Sequence, residues 1–317
     1  MTTMGFEGRV AIVTGAGGNP GLGRAHAMLL ASRGAKVVVN DLGVGSDGSG
    51  THPHRAQATV DEILAAGGEA VADDHSVADE EGAKAIIQTA VDTWGRLDVL
   101  VNNAGIGVVS DIDEITGSHL EKVVAVHFMG PLWTCRAAWP IMKEAGYGRI
   151  VNTTSGGMWG QPGLTLYGAC KFGQFGLTRG LAVEGAQYGI KVNSVSPGGH
   201  SNSFDRFYTV HDAEALAAFM GDQPAELVSP AVGYLAHEDC RVTGANFDAT
   251  GGMVDARLFG VTPGYVNPNL TIEDVRDNLD QIVDADTMRV IAHPLDPMET
   301  GNNEFVKILE ARPYEAL

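Results

Sequence analysis

Seven short runs rich in β-branched residues, separated by stretches of helical spacing, limit what this chain can fold into more than any other feature. The runs cover 9–15, 35–41, 68–74, 97–105, 148–155, 190–198 and 244–252, and the helical stretches lie near 22–33, 55–67, 79–94, 119–145, 164–188 and 225–236. The runs are apolar rather than alternating, so both faces of the sheet they form must be covered. Strand–helix alternation with cover on both faces specifies an α/β fold, a Rossmann-type doubly wound parallel sheet in three α/β/α layers. The rhythm ends near residue 254. Residues 1–254 are therefore expected to form one domain, with 255–317 a C-terminal extension that completes an oligomer interface or covers an active site.

Two stretches break the rhythm. The first, "LGVGSDGSGTHPHR" at 42–55, is a Gly/Ser-rich insertion directly after the second run and too polar to be core. In the second, the tail from Asp255, "VTPGYVNPN" reads as coil before a helix that Thr271 caps with Asp274 three residues on. A further helix is expected over about 302–311.

Charge and cysteine content narrow the function classes. Against 21 Lys and Arg stand 39 Asp and Glu, a net charge of −18 that repels phosphate backbones and anionic lipid. Neither nucleic acid nor a membrane surface is an expected partner; a small molecule is. Cys135, Cys170 and Cys240 lie far apart, without the close pairs of zinc or redox motifs, so no disulfide scaffold and no metal site is indicated. The start "MTTMGFEGRV" has no basic segment followed by an apolar one, and no run reaches the ~18 apolar residues of a membrane span. A cytoplasmic location is expected.

The stretch "TGAGGNPGLG" at 14–23 joins the first strand to the first helix. There, helix-terminal N–H groups and the helix dipole can hold a pyrophosphate, while Gly21 and Gly23 permit close approach of the backbone. A tight strand–helix turn would show the same glycines. Asp41, at the end of the second run in "VVVND", adds weight, because a carboxylate there can accept hydrogen bonds from an adenosine ribose. Its charge opposes a 2′-phosphate, and no Lys or Arg lies between Gly15 and Pro20 or directly after Asp41. NAD is favoured over NADP.

A second constellation is "YGACK", in which Tyr167 and Lys171 stand four apart on a predicted helix and emerge on one face. A phenol is a poor base at neutral pH; a neighbouring ammonium stabilises the phenolate and brings it into range. The pair can then move a proton to or from an alcohol. Upstream, "NTTSGG" offers two hydroxyls for the reacting oxygen, Thr154 and Ser155.

The glycine loop, "NNAG" at 102–105, Ser155, Tyr167, Lys171 and "SPGG" at 196–199, in this order, resemble the short-chain dehydrogenase/reductase family over about residues 8–254. Within it, "VVVNDLG", "VHFMG", "CRAAWPIMKEAGYGRIV" and "LAVEG" are similar to the (3R)-hydroxyacyl-CoA dehydrogenase domains of peroxisomal multifunctional enzymes type 2 and their bacterial relatives. The resemblance implies hydride transfer between nicotinamide and a secondary alcohol or ketone. Tyr167 would be the acid/base, Lys171 would lower its pKa and hold the nicotinamide ribose, and Ser155 would steady the substrate oxygen. The cofactor residues it implies are Gly15, Gly21, Leu22, Gly23, Asp41, Asn102, Ala104, Gly105, Tyr167, Lys171, Pro197 and Gly198. A homo-tetramer or homo-dimer is implied in the same way.

The sequence departs from the family pattern at five places. The loop is two residues longer, most simply by Asn19 and Pro20, so Asn19 is counted at the cofactor rim. Thr154 holds the usual serine position, 13 residues before Tyr167, and Ser155 fits if "TTSGG" is a shortened segment; both stay open. His127 stands where many members have an Asn that holds a proton-relaying water. Because Leu120, Val123 and Val124 share its helical face it should point inward, as a satisfied interior histidine or as a relay. His200 replaces an apolar residue after the Pro-Gly, and His75 stands where an adenine-contacting Asp is usual, with Asp74 a substitute. The segment 200–224, with a single arginine, Arg206, would form a lid over a bulky apolar substrate. A 3-hydroxyacyl-CoA-like or hydroxysteroid-like substrate follows from resemblance, although the acidic chain offers CoA phosphates few cations. Two alternatives are a dinucleotide-sensing binding protein, which would break the Tyr/Lys/Ser set, and a reductase of another carbonyl class. Enoyl reductases space Tyr and Lys seven apart, against four here.

Overall fold

The computed structural model describes residues 3–50, 52, 54–199 and 223–291. Its first unit, Met1–Arg257, is built on an eight-stranded sheet of order β3-β2-β1-β4-β5-β6-β7-β8. Chain order runs β1 (Val10–Thr14), α1 (Leu22–Ser32), β2 (Lys36–Asn40), α2 (Arg55–Ala65), β3 (Glu69–Asp73), α3 (Glu80–Trp94) and β4 (Val99–Asn102). It continues through α4 (Gly117–Val124), α5 (Gly130–Ala145), β5 (Gly148–Thr153), α6 (Thr165–Gly185), β6 (Ile190–Gly198), α7 (Ser229–Ala236), β7 (Asn246–Thr250) and β8 (Met253–Arg257). β1 to β7 pair in parallel, and β8 returns antiparallel to β7 through Gly251 and Gly252, both at positive φ. The expected doubly wound, three-layer fold is the one observed.

Side-chain alternation along each strand divides the core in two. Ala11 and Val13 of β1 pack with Leu30 of α1, Ile63 of α2 and Leu235 of α7, whereas Val10 and Ile12 pack with Ile86 of α3, Met142 of α5 and Ala182 of α6. Both clusters are fully apolar, which is why the strands read as continuous rather than alternating runs.

The expected single helix over 119–145 is interrupted by a π-helical turn, Ala125–Met129, between α4 and α5. The extra residue in that turn shifts the faces, so Leu120 is exposed while Val123 and His127 are buried. The common face assigned to Leu120 and His127 is thereby corrected.

The second unit begins at Leu258. It pairs β9 (Phe259–Val261) with β10 (Arg289–Ile291) and contains α8 (Ile272–Asp277), capped reciprocally by Thr271 and Asp274 as the sequence predicts. The helix expected over 302–311 lies outside the described residues. Among the described residues no helix is long and apolar enough to cross a membrane.

Candidate active site

Gly15 leaves β1 at a φ of +63°, and a Cβ on it would stand 2.7 Å from Ala104 Cα. Only glycine meets both demands. α1 then opens on Gly21 with neither a side-chain cap nor an acid in its first turn, so its leading N–H groups remain for an outside acceptor, and the dipole favours an anion. Gly23 does not line the cleft in front of this turn; a Cβ there would meet Asn103 Nδ2 at 2.5 Å, so it serves packing of α1 on the strand ends.

That cleft has a volume of about 1470 Å³ and runs over the C-terminal ends of the strands. Gly15, Gly21, Leu22, Asp41 and His75 line one part of it, and Ala104, Gly105, Pro197 and Gly198 another. His127, Ser155, Tyr167 and Lys171 line the same cleft. Asp41 is fixed by the backbone N–H groups of Gly17 and Gly43, each donating to one carboxylate oxygen at 2.8 Å.

Besides Gly23, three expected cofactor residues are placed elsewhere. Asn19 is exposed and off the lining, which Pro20 joins instead. Asn102 is buried at the end of β4, where its amide donates to Asn152 Oδ1 at 2.9 Å and accepts from Thr134 Oγ1 at 2.7 Å. It ties strand to strand and helix. Its neighbour Asn103 lines the cleft, donating to the carbonyls of Thr14 and Gly15 at 2.9 and 3.0 Å. Asp74 is exposed, and the acid that engages His75 is buried Asp73, whose Oδ2 lies 3.0 Å from His75 Nδ1 and raises the imidazole pKa. His200, Arg206 and the expected lid helix lie outside the described residues.

On α6, Tyr167 and Lys171 face the cleft one turn apart, the Lys171 Nζ 5.7 Å from the Tyr167 ring centre. The Ser155 hydroxyl favours the ionised form of Tyr167 and accepts from the Gly157 N–H at 3.1 Å. Thr154 also reaches the lining, but its hydroxyl donates to Asn246 Oδ1 at 2.6 Å. Lys171 donates to the Thr153 carbonyl at 2.6 Å, and burial pushes its pKa down to about 7. Burial pushes Tyr167 up, opposed by its bond to Ser155. The direction is thus opposite to the lowering expected from an adjacent ammonium, and its largest cause is desolvation.

His127 sits in the π turn with its ring edge-on to Tyr167, centroids 4.9 Å apart. Its Nε2 lies 2.7 Å from the Ile106 carbonyl and 3.0 Å from the Ile106 N–H, and its Nδ1 has no hydrogen-bond partner among the described residues. Burial, with Lys171 adding repulsion, pushes its pKa down to about 3. It is neutral near pH 7, unlike a relay that titrates there.

Sequence reasoning passed over Asn103, the insertion residues Ser46 and Arg55, and the apolar wall of Val109, Pro162 and Leu164, all of which line the cleft. The doubled Asn of "NNAG" was a signal for the first; the others carry none until the chain is folded.

The family model described as "short chain dehydrogenase" matches residues 9–208. The chain is 44% identical over 268 residues to the peroxisomal hydratase-dehydrogenase-epimerase of Saccharomyces cerevisiae, covering 84% of this chain and 29% of the relative. It is 39% identical over 284 residues to the peroxisomal multifunctional enzyme type 2 of Mus musculus, covering 88% and 37%. The chain therefore spans well under half the length of these two relatives. A crystal structure of a short chain dehydrogenase from Mycobacterium avium superposes with a TM-score of 0.74 at 38% identity, covering 91% of this chain and 98% of that one.

Proposed function

We propose, starting from the fact that this chain belongs to the short-chain dehydrogenase family, that it is an NAD-dependent enzyme interconverting a secondary alcohol and a ketone. The substrate in this reading is 3-hydroxyacyl-CoA-like or hydroxysteroid-like. The observation that carries it is the gathering of Ser155, Tyr167 and Lys171 in a cleft that also presents Asp41 beside the glycine loop.

The donor set fits a dinucleotide. The uncapped first turn of α1 and the backbone of Gly15 to Leu22 suit a pyrophosphate, Asp41 suits ribose hydroxyls, and Ala104, Gly105, Pro197 and Gly198 give flat contact. When bound, NAD supplies the hydride acceptor. Tyr167, whose ionised form Ser155 favours, exchanges a proton with the substrate oxygen. Lys171 has spare N–H groups for a ribose hydroxyl, and its pKa of about 7 lets it pass a proton on at working pH. Neutral His127 holds the Tyr167 ring and the Ile106 peptide in place. The names of the relatives and the apolar wall of Val109, Pro162 and Leu164 support the substrate class. Buried, unpaired Cys135, Cys170 and Cys240 suit a reducing, cytosolic setting, and a homo-oligomer is part of the reading.

Steady-state assays with hydroxyacyl-CoA thioesters, hydroxysteroids and simple secondary alcohols, each with NAD and NADP, test the proposal. NAD is the expected cofactor, and Asp41→Ala is expected to erode the preference by about tenfold, the worth of one charge-assisted hydrogen bond. Equal use of both dinucleotides with an unaltered ratio in Asp41→Ala would remove Asp41 from the site. Lack of turnover with every thioester would remove the acyl-CoA reading.

The two adjacent hydroxyls are expected to separate cleanly. Ser155→Ala should lower kcat by about a hundredfold with little effect on melting. Thr154→Val should leave kcat within a few-fold but cost about 1 to 2 kcal/mol of stability, because Asn246 Oδ1 loses a buried donor. The opposite pattern in kinetics and thermal denaturation would exchange their roles.

A further inference from the structure

The polar insertion after β2 does not trail into solvent. Leu42, Val44, Ser46 and Gly48 line the cleft, and the Ser46 carbonyl accepts a 2.7 Å hydrogen bond from the Gly107 N–H, five residues beyond the end of β4. The loop also has its own framework. Gly45 N–H donates to the Ser49 carbonyl at 2.7 Å and Gly48 N–H to the Gly45 carbonyl at 2.9 Å. Asp47 Oδ1 receives the Ser49 N–H and hydroxyl at 3.0 and 2.7 Å. At its far end Arg55 Nη1 donates to the Val44 carbonyl at 2.8 Å.

Sheet order gives this link its meaning. β2 and β4 flank β1 on opposite sides, so a connection from Ser46 to Gly107 crosses the end of β1, where the glycine loop begins. A dinucleotide reaching from Asp41 to Tyr167 must cross the same strand end. We propose that residues 42–50 form a strap over the dinucleotide, closed by the Ser46–Gly107 hydrogen bond, and that nucleotide leaves only when this bond opens. The proposal rests on the dinucleotide reading above and adds that cofactor exchange is gated by this chain's own insertion.

Stopped-flow release of NADH, followed by its fluorescence on chasing with excess NAD, tests the strap in the full chain. Gly107→Pro, which lacks the donor, is expected to release NADH about fivefold faster, as one net hydrogen bond predicts. Excision of residues 45–50 is expected to release it faster still. Release within twofold of the parent in both variants overturns the strap. So does tighter binding through faster association alone, because the loop would then occupy the nucleotide's place rather than cover it. Amide exchange in the unaltered chain gives a measure independent of any variant's folding: protection at Gly107 is expected to rise on NADH saturation, and unchanged protection overturns the proposal. Absence of saturable NADH binding by the parent would instead overturn the cofactor reading, and the strap with it.

Discussion

Tyr167→Phe is expected to lower kcat about a thousandfold while dinucleotide affinity stays within a factor of two. Only the hydroxyl is removed, and with it goes the group proposed to exchange a proton with the substrate oxygen, a contribution of about 10² to 10⁴. The ring remains, so the edge contact with His127 at 4.9 Å persists and the cleft wall keeps its shape. Single-turnover hydride transfer and equilibrium binding of NADH separate the two effects. A loss smaller than about threefold in the chemical step, with the fold intact by thermal denaturation, would show that another group moves the proton.

Lys171→Met is expected to do two opposite things, lowering kcat about a hundredfold and relieving a cost in the fold. Lys171 is 2% exposed, with its pKa pushed down to about 7 by burial. The unfolded chain restores the ordinary value, about 10.4. Below pH 7 both states hold the proton and the folded state bears the full desolvation cost. Between pH 7 and about 10 only the unfolded chain holds it, so the parent gains stability as pH rises. Urea denaturation at pH 6 and pH 9 should therefore show the parent rising by about 2 to 3 kcal/mol relative to Lys171→Met. A parent that loses stability relative to the variant over that interval would mean that the amine is charged and well solvated in the fold.

Much of this arrangement was legible because it rests on local signals. Apolar runs separated by helical spacing gave seven strands, and the i,i+4 relation of Tyr167 and Lys171 put both on one face of α6. The antiparallel β8 was missed although Gly251-Gly252, a two-residue turn of positive φ, is a hairpin signal. Other features depend on partners far away in sequence. Nothing near Thr154 tells that Asn246 claims its hydroxyl and leaves Ser155 to Tyr167. Asn102 and Asn103 are chemically the same, and the positions of Asn152 and Thr134, distant in sequence, mark which one is taken into the sheet. The π turn at Ala125–Met129 reads as ordinary helix until Leu120 is found exposed. The insertion is too polar to be core, as its composition says, yet nothing in that composition tells that Leu42, Val44, Ser46 and Gly48 line the cleft.

Direct hydride transfer is the central claim, and one isotope measurement tests it. With a secondary alcohol accepted by the enzyme and deuterated at its carbinol carbon, the deuterium is expected on the nicotinamide ring of the NADH formed, in equal amount to the ketone. Deuterium released to water, or ketone formed without reduced cofactor, would contradict it.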